Sequence, residues 1–274
     1  MNTPKIPIKK SKETMEFYLE NGLKFGKILY ILYSNLRNGM ELYKLPQYFN
    51  AMCKNKFSTT ISFPFNTVKN DNGDFFDRNI CISINDEVAH GRHNIQELED
   101  QITNKDIISL DFGICVNNYC FDAAFTIKPI EKKYSRGWEI SPWLALKEIV
   151  KENPKNTLEL SKIIREKAED CFLNQVVSLT GHGIGQKLHE APTIYNAPAD
   201  FLPVDFFDGV CFCAEPIYTL PTKESDSFIT PICIGEDGWK ILTTNGNLSS
   251  HWETTYGVIN DQIVDLIGVT NWDL

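Results

Sequence analysis

Two aspartates eleven residues apart, Asp111 and Asp122, lie in DIISLDFGICVNNYCFDAAFT, residues 106–126. This segment is two β-rich runs either side of Asn117-Asn118, the composition of a hairpin with a two-residue turn. With that turn, residue 116 faces 119, 113 faces 122 and 111 faces 124, so both aspartates project from one face of the hairpin. Their neighbours Leu110, Phe112, Phe121 and Ala123 are apolar. Two ionised carboxylates do not share an apolar face unaided. A cation between them resolves the conflict, as would one buried protonated acid or a hairpin open to water.

A second concentration is GHGIGQKLHEAP, residues 181–192, where His182 sits among Gly181, Gly183 and Gly185, and His189 follows seven residues later. Only five histidines occur in the chain. Either could be a hydrogen-bonded core histidine, but glycines on both sides suit a loop that brings backbone close to a ligand. Glu215 lies in the apolar run GVCFCAEPI (209–217) and Glu253 in the aromatic stretch HWETTYGVI (251–259). Each alone reads as a salt-bridge partner, yet the nearby sequence offers no arginine. Together Asp111, Asp122, Glu215 and Glu253 carry four negative charges and His182 a neutral nitrogen. One divalent ion would leave half of that charge uncompensated, and two would cancel it. Oxygen-rich ligation with one imidazole suits manganese, iron(II), cobalt or zinc in a dinuclear site.

The elements that must position these residues are legible in part. Residues 13–37 carry apolar residues at three- and four-residue spacing, predicting a helix that ends at Gly39, and a second helix opens after Pro46. Residues 66–79 (NTVKNDNGDFFDRN) read as an exposed loop, and strand character begins at Ile80. Helices are expected at 140–151 and 157–173, the latter opened by a capping box of Asn156 and Glu159, with Leu160, Ile163, Ile164, Ala168, Cys171 and Phe172 as its apolar stripe. After Val176 short strands return, with a hairpin about Asn245-Gly246 and a last strand at 256–266. The pattern predicts one α+β domain around an antiparallel sheet, residues 13–274, preceded by a short extension, residues 1–12.

Bulk properties exclude several classes. At 274 residues and 42% hydrophobic content the chain can bury a full core. The apolar run from Ile28 to Tyr33 is far short of a bilayer span, and residues 1–10 lack the apolar core of a secretion signal, so no membrane partner and a cytoplasmic location are expected. A net charge of −9 without a basic block argues against nucleic acid. The eight cysteines include no C-x-x-C pair and are expected to be reduced and mostly core-filling. Cys211 and Cys213, two apart on a strand, would share a face rather than grip a metal.

These residues resemble type I methionine aminopeptidases of the pita-bread fold, from about residue 13 to the C-terminus. The likeness is carried by CISINDEVAHG (81–91), the two hairpin aspartates, GHGIG with HEAP, AEP (214–216), DGW (237–239) and LSSHWE (248–253). It implies a curved antiparallel sheet with helices on its outer face. It also implies two divalent metal ions (cobalt, manganese, iron(II) or zinc) held by Asp111, Asp122, His182, Glu215 and Glu253, with Asp122 and Glu253 bridging. A hydroxide bridging the ions would attack the first peptide bond of peptides and nascent proteins, with a small second residue preferred. Glu215 would shuttle the proton, His90 and His189 would donate hydrogen bonds to the scissile amide and the oxyanion, and His90, Cys81, Leu188, Trp239, Phe63 and Phe65 would line the methionine pocket.

The sequence departs from the family pattern at Ala89, Arg92, His93, Ala123 and Thr254, several of which flank the site and put rate and specificity in question. A monomer is expected, and docking on the ribosome would use the catalytic surface, there being no zinc-finger extension. The rival readings are a proline-directed aminopeptidase of the same fold, for whose extra N-terminal domain there is no room, and a non-catalytic peptide-binding module, which would have lost ligands that are present here.

Overall fold

The computed structural model describes residues 6–37, 41–70, 72–94, 97–98, 106–128, 137–221 and 228–274. Gly39, the expected end of the first helix, lies outside them. Four helices of eight residues or more are described: α1 (Lys12–Arg37), α2 (Leu45–Lys56), α3 (Ser141–Glu152) and α4 (Thr157–Asp170).

Helix α1 buries Met15, Tyr18, Gly22, Phe25, Leu29, Leu32 and Leu36, the three- and four-residue periodicity read from the sequence. Pro46 and Pro142 sit in the first turns of α2 and α3, where a missing N–H costs nothing. Asn156 caps α4, its side chain accepting from the backbone N–H of Leu158 and Glu159. Of the α4 stripe, Leu160, Ile164 and Ala168 are buried, but Phe172 is 81% exposed because the helix ends at Asp170 and residue 172 turns left-handed.

The strands are β1 (Ile61–Ser62), β2 (Ile80–Ile84), β3 (Glu87–Ala89), β4 (Ile108–Val116), β5 (Tyr119–Ile127), β6 (Asn174–Gln175), β7 (Thr180–Gly183), β8 (Glu190–Tyr195), β9 (Cys211–Ala214), β10 (Ile217–Thr219), β11 (Ile232–Ile234), β12 (Ile241–Thr243), β13 (Ser249–His251), β14 (Thr254–Ile259) and β15 (Gln262–Asp265). Every pairing between these strands is antiparallel. On one sheet β5 lies along one edge of β4, with β1 and β2 along the other. A five-stranded sheet runs β15-β14-β9-β7-β8. The backbones of Ala124 on β5 and Glu253, just before β14, exchange two hydrogen bonds and join these two sheets.

Two sequence expectations fail late in the chain. The turn at Asn245-Gly246 forms, but β12 pairs with β11 and β3 while β13 pairs with β10, so it is not a hairpin. The last strand is two, β14 and β15, reversing at Asn260-Asp261, both with positive φ. The break falls at the surface residues Asp261 and Gln262, a short polar interruption of an otherwise apolar run.

The core lies between the sheets and α1 to α4. Tyr33, Phe125, Trp252 and Trp272 form one aromatic cluster, and Phe112 stacks on Phe125. Cys115 and Cys120, facing each other across the β4–β5 ladder, are joined as a disulfide, against the expectation of eight reduced thiols. A directly opposed cross-strand pair brings two Cβ atoms within bridging range, which linear spacing does not reveal. No described helix is long and apolar enough to cross a membrane.

Candidate active site

The β4–β5 register is the one expected: Val116 faces Tyr119, Gly113 faces Asp122 and Asp111 faces Ala124. Asn117 and Asn118 both take positive φ, as a tight primed turn requires. Asp111 and Asp122 therefore share a face, and the Ala124–Glu253 backbone pairing brings Glu253 beside them. Carboxylate oxygens of Asp111, Asp122 and Glu253 lie within 4.8 Å of one another.

Glu215 follows β9 directly, and Thr255 on β14 fixes Asp122 through two hydrogen bonds to its backbone, 3.0 and 2.8 Å. His182, on β7, brings Nε2 to 3.7 Å from Asp122 Oδ2 and 3.8 Å from Glu253 Oε1. Its Nδ1 lies 3.0 Å from the Gly183 carbonyl, an acceptor only, so that nitrogen carries the proton and Nε2 offers its lone pair to the acids.

The electrostatics are severe. Among the described residues no lysine or arginine pairs with the four acids; the side chains within 4 Å of Asp122, Glu215 and Glu253 on the basic side are the uncharged imidazoles of His182 and His251. Burial pushes the Asp111 carboxyl up from 3.8 to about 7. Burial, reinforced by the neighbouring acids, raises Asp122, Glu215 and Glu253 well above the carboxylate range. Burial also lowers His182 to about 3, keeping it neutral. Asp111 Oδ1, Asp122 Oδ1 and Glu253 Oε1 are buried with no hydrogen-bond partner. Buried polar atoms are rarely orphaned, and three converging carboxylate oxygens without donors call for a cation. The donor set fits divalent metal.

These groups open onto a cavity of 1380 Å³. His90 and His189 face it, both lowered by burial and so neutral donors near pH 7. The His182 and His189 rings meet edge to face, centroids 4.5 Å apart. Cys81, Leu188, Trp239 and Phe65 line the cavity. Phe63 does not: it packs on Phe49, 5.7 Å between ring centroids.

Phe76, only 2% exposed, takes the place beside them, its ring 5.0 Å from Trp239 and 6.2 Å from Phe65. It comes from the stretch read as an exposed loop. That stretch folds back through a Lys69–Phe75 bridge, and the polar residues around Phe76 concealed it. His251, two residues before Glu253 at the end of β13, also belongs to the site, although nothing in its local sequence singles it out. Its buried Nε2 lacks a hydrogen-bond partner and stands 3.7 Å from Glu215 Oε2.

The glycines of GHGIG are explained differently from the expectation. A Cβ at Gly181 or Gly183 would collide with the carbonyls of Cys213 and Ala191, and one at Gly185 with the Glu190 carboxylate. They permit strand packing around His182 rather than contact with a ligand.

Of the departures, Ala123 packs into the core on the face opposite Asp122, Thr254 binds Asp265, and His93 pairs with Glu87. Ala89 lines the cavity, and Arg92 stands over Phe76 and Trp239, anchored to Asp77 at 2.7 Å.

Residues 25–260 match the model of metallopeptidase family M24. The chain belongs to that family. As an M24 metallopeptidase it works with divalent metal ions. It is 30% identical over 187 residues to a methionine aminopeptidase of Clostridium perfringens, spanning 67% of this chain and 71% of that one. To a methionine aminopeptidase of Mycoplasma capricolum it is 27% identical over 263 residues, 92% of this chain and 94% of the other. The crystal structure of the Thermotoga maritima methionine aminopeptidase superposes with a TM-score of 0.73 at 23% identity, covering 96% and 99% of the two chains. This M24 chain thus has the pita-bread fold.

Proposed function

We propose that this chain removes N-terminal methionine from peptides and nascent proteins, using two divalent metal ions held by Asp111, Asp122, His182, Glu215 and Glu253. The observation that carries the metal centre is the convergence of buried carboxylates whose oxygens have no partner. The relatives' activity supplies the substrate class.

When bound, the ions supply Lewis acidity, polarising the scissile carbonyl and lowering the pKa of water. Asp122 and Glu253, close to His182 and to Asp111, would hold the ions together with those two residues. Glu215, directly after β9 and beside the other acids, would take a proton from the attacking water and return it to the leaving amine. His251 stands beside Glu215, its Nε2 3.7 Å from Oε2. His90 and His189, neutral and facing the cavity, donate hydrogen bonds to the scissile amide and to the oxyanion. Cys81, Phe65, Phe76, Leu188 and Trp239 form an apolar pocket with sulfur and aromatic faces, suited to an unbranched thioether.

Metal-free protein titrated with manganese, cobalt, iron(II) or zinc, and assayed on Met-Ala-Ser, should release methionine only with metal. Release of methionine from Met-Leu-Ser at the same rate would count against the small second residue. Turnover confined to Xaa-Pro peptides would overturn the substrate class.

A further inference from the structure

Cys213 is fully buried on β9, opposite Thr255 of β14, with its Sγ 3.5 Å from Thr255 Oγ1. Thr255 and Glu253 are two residues apart, so Cys213 is directed to the same side as Glu253. There His182, Cys213 and Glu253 each present a ligand atom, all within 4.8 Å of one another. A buried thiol beside an acid is not by itself a site. The second observation is Glu253 Oε1: the residue is 3% exposed, and this oxygen has no hydrogen-bond partner, though it lies 3.8 Å from His182 Nε2. A lone-pair nitrogen, an orphaned carboxylate oxygen and a sulfur therefore converge with no proton donor between the first two. Bonds of about 2.0 to 2.3 Å from one ion hold their donors roughly 3.3–3.8 Å apart, a spacing His182 Nε2 and Glu253 Oε1 already have and one the sulfur reaches by closing about 1 Å at most.

We propose that Cys213 is a sulfur donor to the metal ion held by His182 and Glu253. The expectation from sequence spacing, that Cys213 would not grip a metal, considered only pairs of cysteines. The partners here come from β7 and the segment before β14. On loading, the S–H bond breaks, the sulfur–metal bond forms from the thiolate pair, and the proton leaves to solvent. A thiolate in an otherwise oxygen-rich set shifts preference toward zinc and cobalt and away from manganese. Cys233, exposed on β11 and not lining the cavity, is the internal comparison.

The inference rests on the metal-centre reading above, and cobalt(II) separates the two. Metal-free protein loaded with cobalt(II) should show visible ligand-field bands together with a near-ultraviolet sulfur-to-cobalt band. Cys213→Ser and Cys213→Thr should lose the near-ultraviolet band and keep the visible ones, while Cys233→Ser keeps both. In chelator competition, the ratio of zinc to manganese affinity should fall at least tenfold in Cys213→Ser. Visible bands without the near-ultraviolet band in the unaltered protein would overturn sulfur ligation whatever the variants do, as would a band surviving in Cys213→Ser. Absence of any cobalt binding would overturn the metal centre itself.

Discussion

Replacing Asp111 with asparagine tests the electrostatic reading of the site without relying on turnover. In the metal-free protein the Asp111 carboxyl is raised from 3.8 to about 7 by burial, whereas in the unfolded chain it returns to its ordinary value. Between those values the unfolded chain ionises and the folded one holds its proton. The group's contribution is therefore fully present below about pH 4 and is lost progressively as pH rises to about 7. At roughly 1.4 kcal/mol per pH unit the loss is about 4 kcal/mol. An asparagine side chain cannot ionise and carries no such cost. Urea denaturation of metal-free protein between pH 4 and 8 should show a declining midpoint in the unaltered chain and a flatter profile in Asp111→Asn, the variant being the more stable at pH 8. Saturating manganese should reverse the order, because the carboxylate then has its cation. Equal pH slopes in the two proteins, or a less stable metal-free variant at pH 8, would refute the claim that Asp111 is an acid held against its own charge.

The remaining expectations concern single side chains. Glu215→Gln should lower kcat by about 10²- to 10⁴-fold, with peptide affinity by calorimetry retained, because proton transfer is removed and the pocket is not. His189→Ala should cost about 10²- to 10³-fold in kcat with little change in KM, as expected for a donor that acts on developing charge. Phe76→Ala removes a buried ring between Trp239 and Phe65; it should cost about 3–5 kcal/mol in urea denaturation and raise KM for methionyl peptides. Asn156→Ala, which touches none of the acids or histidines of the site, should cost about 1 kcal/mol by loss of the α4 cap and leave peptide cleavage unchanged.

The sequence alone determined the features that depend on short-range periodicity and on charge. The apolar spacing of α1, the Asn156 cap, and the Asn117-Asn118 turn with its register all follow from local steric and hydrogen-bonding rules, and once the register is set Asp111 and Asp122 must share a face. The excess of acids over nearby arginines in apolar segments likewise pointed to a compensating cation on grounds of charge, with a protonated acid or a solvent-exposed hairpin as the alternatives. Only the tertiary structure decided what depends on contacts between distant segments. The pairing of Ala124 with Glu253 delivers the third carboxylate, and the approach of β9 to β14 turns Cys213 toward His182. The folding back of residues 66–79 buries Phe76, and the β4–β5 ladder sets Cys115 against Cys120. Each of these is a meeting of residues far apart in sequence or of opposed strands, where pattern within one segment carries no record of its partner, so the same cysteine or phenylalanine reads as core filling until the fold supplies its neighbours.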